Sequence, residues 1–110
     1  MSAFRGPTPS IPYEVAKAGV IHLTKASAYQ YMPLGIRINC VAPGNVETPM
    51  LKQGTGDAES WARRQEAQPL KRFGTPEELA NAILFVASDE ASWISGVTII
   101  VDGGKWAALQ

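Results

Sequence analysis

The chain has 110 residues, 45% of them hydrophobic and 18% charged, and its ten basic and ten acidic side chains cancel. That length suits one small globular domain, and the lack of excess positive charge argues against a nucleic-acid-binding or membrane-surface protein. One cysteine, Cys40, excludes an internal disulfide framework; with no signal-like opening and no uncharged apolar run near ~20 residues, a soluble cytoplasmic protein is expected.

Residues 1–12 read as loop, punctuated by Gly6, Pro7, Pro9, Ser10 and Pro12. Ser10 is the expected N-cap of a helix over 11–31, with Pro12 in the first turn, where its missing N–H costs nothing. Val15, Ala18, His22, Ala26 and Tyr29 would line one apolar stripe, with Ala16, Val20, Leu23 and Ser27 beside it. Pro33 and Gly35 stop the pattern. "IRINCVA" (36–42) is short, β-branched and bounded by Gly35 and Pro43-Gly44, so it predicts a strand buried on both faces. A loop is expected from Pro43 to Gly56, then a polar helix from Asp57 to Ala67. "GTPEELANAILFVAS" carries stronger signals: Thr75 as cap, Pro76 at the first position, and Glu78 three after the cap. Leu79, Ile83, Val86 and Ala87 form its expected apolar face. "VTIIV" (97–101) predicts a second buried strand closed by Asp102-Gly103-Gly104. The order helix, strand, helix, helix, strand describes an α/β segment with a parallel crossover.

Tyr13 and Lys17 stand out. Four residues on a helix is about one turn, a rise of ~6 Å, so both side chains point the same way. An ammonium beside a phenol stabilises the phenolate, which makes tyrosine usable as a general acid or base. Tyr-x-x-x-Lys also arises by chance on ordinary amphipathic helices, so the pair by itself does not decide.

The surroundings do more. "YEVAKAGV", "IRINCVAPGNVETPM", "RFGTPEELANAILFVASDEAS" and "ISGVTIIVDGG" occur in this order. Together they resemble the C-terminal half of a short-chain dehydrogenase/reductase, over about Met1 to Gly104. The resemblance implies one partial domain over 1–110: the C-terminal part of a Rossmann-like, doubly wound parallel sheet. It implies an NAD(P)-dependent oxidoreductase that moves a hydride between nicotinamide and an alcohol or carbonyl carbon. Tyr13 would be the general acid/base. Lys17 would assist it and hold the nicotinamide ribose. Pro43 and Gly44 would bring backbone close to the nicotinamide, Val46 would offer its amide to the carboxamide, and Thr48 would reach the carboxamide or diphosphate. Ligands of open α/β sheets do sit beyond the carboxyl ends of the strands.

The same resemblance exposes a gap. The family's Gly-rich phosphate turn has no counterpart here, nor do its residues that discriminate NAD from NADP. Its catalytic serine would fall just before Met1, and Ser2 is out of register. A truncated chain, inactive alone, is therefore expected. It would act with a complementing N-terminal half or as a homo-oligomer; the alternative is a non-catalytic folding or oligomerisation unit. Other residues take plainer readings. Asn39 should anchor loops, Cys40 should be a small buried hydrophobe, and His22 lacks the neighbours a metal site needs. Arg63, Arg64, Lys71 and Arg72 should be solvated surface. Met50 to Arg72 corresponds to the family's substrate loop and lid, and Trp61 and Met50 could line a pocket or fill the core.

Overall fold

The computed structural model describes residues 10–109, so Ser2 and most of the expected opening loop lie outside the described part. The first helix, α1 (Ile11–Tyr31), has Pro12 in its first turn as expected. Ser10 occupies the cap position, but its side chain makes no capping bond; its carbonyl accepts from the Glu14 amide at 3.2 Å. After Tyr31 a 3-10 turn (Met32–Leu34) leads into Gly35, whose φ of 75° closes the helix in the left-handed region.

Of the two expected stripes, only Ser27 belongs to the face of α1 that packs inward. Thr24 and Ala28 are buried and Ile21 and Ser27 half-buried, whereas Val15, Leu23 and Tyr29 are 65%, 64% and 85% exposed. The reason is close approach. Ala28 seats against Gly96, where even an added Cβ would already lie 3.4 Å from the Ala28 Cβ. Thr24 returns its hydroxyl to the Val20 carbonyl at 2.9 Å, so this small polar residue is satisfied while buried.

Two strands, β1 (Cys40–Pro43) and β2 (Thr98–Val101), pair in parallel with Cys40 opposite Thr98 and Pro43 opposite Val101. β1 begins four residues later than the sequence pattern suggests because side chains tie down the stretch before it. Arg37 donates to the carbonyls of Val86 (2.9 Å), Ser88 (2.9 Å) and Ile94 (3.3 Å). The Ile38 amide donates to the Ser95 hydroxyl. Asn39 donates to the Ile94 carbonyl at 2.8 Å and accepts from the Val97 amide at 3.3 Å, which is the loop-anchoring role expected of it. Burial of the strands is less than expected. Ala42 is buried, while Cys40, Val41 and all of β2 are half-buried, since among the described residues the sheet has two strands and no third one beside them.

The loop expected after β1 contains a short helix, α2 (Pro49–Gln53), because Thr48 caps it by accepting from the Leu51 amide at 3.2 Å. α3 (Ala58–Glu66) is capped by Asp57, whose carboxylate accepts from the Ser60 amide at 2.8 Å. That bond holds the Asp57 carboxyl below its usual range. α4 (Pro76–Ala87) opens with the complete capping box of Thr75 and Glu78. Its apolar face is only partly inward: Leu79, Ala82 and Val86 are half-buried, but Ile83 and Ala87 are exposed. Phe73 is the largest buried side chain, 2% exposed, and Trp61 meets it edge to face at 4.6 Å between ring centroids. Trp61 is thus half-buried against the core residue Phe73, whereas Met50 is 83% exposed.

Candidate functional site at the carboxyl ends of the strands

Tyr13 and Lys17 lie on the first two turns of α1, on one face, with the Lys17 Nζ 5.5 Å from the centroid of the Tyr13 ring. Tyr13 is 53% exposed, so its hydroxyl is open to a reactant. α1 packs against β1, and β1 runs at its carboxyl end into the other candidate residues.

Pro43 closes β1 and Gly44 follows, donating to the Val101 carbonyl at 2.9 Å. The need for glycine there is visible within the chain. A Cβ on Gly44 would stand 2.7 Å from both the Cα and the Cβ of Asp102, which no ordinary contact allows. Gly44 therefore serves the meeting of the two strand ends.

Val46 forms an isolated parallel bridge with Gly74. The two bonds of that bridge belong to its neighbours: the Gly74 amide donates to the Asn45 carbonyl and the Glu47 amide donates to the Gly74 carbonyl, both at 2.9 Å. In this pattern the N–H and C=O of Val46 itself point away from Gly74. A backbone donor is thereby presented at the carboxyl end of the sheet. Thr48 accepts the Leu51 amide as the α2 cap, and a hydroxyl that accepts keeps its own proton to donate.

A cavity of about 130 Å³ lies at the carboxyl ends of β1 and β2, beside the start of α4. Asn45, Val46, Gly74, Thr75, Glu78 and Asp102 are among its walls; Tyr13, Lys17 and Thr48 are not. The Asp102 carboxylate accepts from the Gly104 amide at 3.0 Å and from the Trp106 amide at 2.7 Å, so Asp102-Gly103-Gly104 is the structural turn expected of it.

The cations expected on a solvated surface have partners in the chain. Lys71 pairs with Glu66 at 2.9 Å, Arg64 donates to the Thr55 hydroxyl at 2.6 Å, and Arg72 grips Glu78 through two bonds of 2.8 and 2.6 Å. That grip and its hydrogen bond to Thr75 hold the Glu78 carboxyl at about 2, far below its ordinary 4.5. Sequence reasoning found Glu78 as a cap but missed Arg72 and Gly74 as neighbours of Val46. The "RFGTPEE" run placed an arginine six residues before the glutamate, and no helical or strand period links those positions. His22 is exposed, and no cluster of three metal-ligating side chains occurs among the described residues. Nor is any helix among the described residues long and apolar enough to cross a membrane.

Comparison with known proteins bears on this arrangement. Residues 2–105 match the family profile described as enoyl-(acyl carrier protein) reductase. A solved short chain dehydrogenase/reductase family protein superposes with a TM-score of 0.84 at 37% identity, over 97% of this chain and 43% of that one. The chain belongs to the short-chain dehydrogenase/reductase family. Its two parallel strands and flanking helices are the C-terminal portion of that family's Rossmann-like α/β fold. The crystal structure of levodione reductase superposes with a TM-score of 0.89 and 34% identity over 97% of this chain and 44% of its own. Among curated relatives, cis-4-hydroxycyclohexanecarboxylate dehydrogenase of Sinomonas cyclohexanicum is 44% identical over 102 residues, 93% of this chain and 40% of the relative. L-rhamnose 1-dehydrogenase (NAD(P)(+)) of Azotobacter vinelandii (strain DJ / ATCC BAA-1303) is 38% identical over 110 residues, 100% of this chain and 43% of the relative. The chain thus spans about two fifths of the length of these curated relatives.

Proposed function

We propose that the chain supplies the proton-transfer pair and the nicotinamide-side loop of an NAD(P)-dependent alcohol or carbonyl oxidoreductase. The observation that carries this is the pairing on α1: an exposed phenol and an ammonium 5.5 Å from its ring centroid, one turn apart. Val46 adds the cofactor side, because its amide faces away from the Gly74 bridge. These residues fit a nicotinamide: an amide donor for a carboxamide oxygen, a hydroxyl at Thr48, and a cation at Lys17 for ribose oxygens. When bound, the nicotinamide accepts or gives the hydride at the substrate carbon.

The chain's own work is with the proton. Tyr13 Oη takes the hydroxyl proton as an alcohol is oxidised and returns it to the oxygen as a carbonyl is reduced. Lys17, whose ammonium lies 5.5 Å from the Tyr13 ring centroid, would hold the ribose of the cofactor. Val46, through its amide, and Thr48, through its hydroxyl, would hold the nicotinamide carboxamide. The substrate is a small alcohol or carbonyl compound.

A second reading has its own support. Val15, Leu23 and Tyr29 leave much of α1 apolar and exposed, as suits a unit that assembles with another copy or with a complementing N-terminal half. Titration with NADH and NADPH, followed through Trp61, Trp93 or Trp106, separates the two. Saturable binding supports the oxidoreductase reading. Absence of binding by a folded chain overturns it in favour of the assembly unit.

A further inference from the structure

We propose that Arg72 and Glu78 form a latch that positions the Val46 amide, which makes both of them positioning residues for the cofactor loop. The inference rests on the nicotinamide reading above for its functional meaning, and on hydrogen bonds for its mechanics. The Glu78 carboxylate ties both ends of one short segment. On one side it accepts two bonds from the Arg72 guanidinium, at 2.8 and 2.6 Å. On the other it accepts from the Thr75 amide at 2.8 Å. Arg72 also donates to the Phe73 carbonyl at 3.1 Å, which folds the guanidinium back along the backbone. Gly74 stands inside this clasp. Its amide and carbonyl are the atoms that bond Asn45 and Glu47 and so set the direction of the Val46 N–H.

Packing alone does not hold Gly74 in place. The cavity of about 130 Å³ borders Asn45, Val46, Arg72, Gly74, Thr75 and Glu78, so this junction has open space beside it. A Cβ on Gly74 would meet Glu78 Oε2 at 3.7 Å and the Asn45 carbonyl oxygen and Val46 Cγ2 at 3.8 Å, ordinary contact distances that wedge nothing tightly against the glycine. Phe73 anchors the segment through its own side chain against Trp61, but a backbone can rotate about an anchored side chain. What prevents rotation at Gly74 is the pair of tethers on either side, both ending on one carboxylate. The planar two-point geometry of guanidinium and carboxylate suits that task better than a point charge.

Hydrogen exchange of individual amides, read by NMR on the full chain, tests the latch. Arg72→Met removes the grip and leaves the Thr75–Glu78 capping box and α4 intact. Glu78→Gln keeps an oxygen for the Thr75 amide but loses the charged pair. In both, the Glu47 and Gly74 amides should exchange faster by about fivefold, the scale of one well-formed surface ion pair. The amides of α4 and of Gly44 should be unchanged, and Arg72→Lys should recover only part of the protection. Unchanged exchange at Glu47 and Gly74 would overturn the latch. So would a uniform rise through α4 and β1, which signals general destabilisation. NADH titration of the same variants reads the functional half: a Kd raised about fivefold in Arg72→Met, and partly restored in Arg72→Lys, is expected if the amide serves the nicotinamide. If the unaltered chain binds neither NADH nor NADPH, the cofactor reading falls while the exchange pattern still decides the latch.

Discussion

Gly44→Ala should destabilise the chain, and its magnitude follows from the meeting of the two strand ends. The new Cβ would stand 2.7 Å from the Cα and Cβ of Asp102, where 3.4–4 Å is ordinary contact. Asp102 cannot retreat cheaply, since both of its carboxylate oxygens hold backbone amides, those of Gly104 and Trp106. The strand ends must therefore part by about 1 Å. Overpacking of this kind costs about 1–3 kcal/mol, and the strained Gly44 to Val101 bond adds up to about 1 kcal/mol. The sum, about 1–4 kcal/mol, is a large share of the roughly 5–15 kcal/mol that holds a domain together. Gly19→Ala provides the opposite sign. Gly19 lies inside α1 with nothing within 4 Å of an added Cβ, so alanine should stabilise by about 0.5–1 kcal/mol. Urea denaturation followed by tryptophan fluorescence and circular dichroism measures both, compared at equal slope. A Gly44→Ala midpoint equal to that of the unaltered chain would refute the steric argument, as would a Gly19→Ala midpoint below it.

Further outcomes can be checked in parallel. In any assembly that turns over substrate, Tyr13→Phe should abolish turnover by removing the proton carrier yet leave cofactor binding intact, while Lys17→Ala should weaken both; steady-state kinetics with cofactor titration reads the split. The Glu78 carboxyl is held at about 2 by Arg72 first and the Thr75 amide second, against an ordinary 4.5, so its contribution to stability is full above about 4.5 and is lost as pH falls toward 2. The side-chain carboxyl NMR signal should titrate accordingly, Arg72→Met should return it toward its ordinary range, and a midpoint near 4.5 in the unaltered chain would contradict the latch. Sedimentation at micromolar concentration should show self-association, because Val15, Leu23 and Tyr29 are exposed on α1 and each large apolar side chain covered is worth about 1.5–3 kcal/mol; Leu23→Glu should shift the equilibrium toward monomer. Residues 45–68 should exchange faster than β1, since α2 and α3 are short and mostly exposed; slower exchange there would count against a mobile lid.

Much of this protein was legible before any coordinates. Local chemistry wrote helix starts: Pro12 stands in the first turn of α1, and the capping box of Thr75 with Glu78 is present, although the Ser10 side chain does not cap. The Tyr13–Lys17 pair needed only helical periodicity, and the parallel pairing of the two strands followed from the crossover between them. Family membership was likewise legible, because the motifs that carry it are short runs in chain order. What the sequence could not determine lies between segments distant along the chain. The inward face of α1 is set by the closeness of Ala28 to Gly96, and small residues there outrank the bulkier Leu23 and Val15. The first residues of the expected strand are diverted by Arg37 and Asn39 to carbonyls some fifty residues away. Gly44 is needed because Asp102 crosses it, and Val46 is aimed because Gly74 pairs beside it. Periodicity and caps report interactions that one stretch makes with itself. The direction of a single amide depends on which backbone lies alongside, and only the tertiary fold decides that.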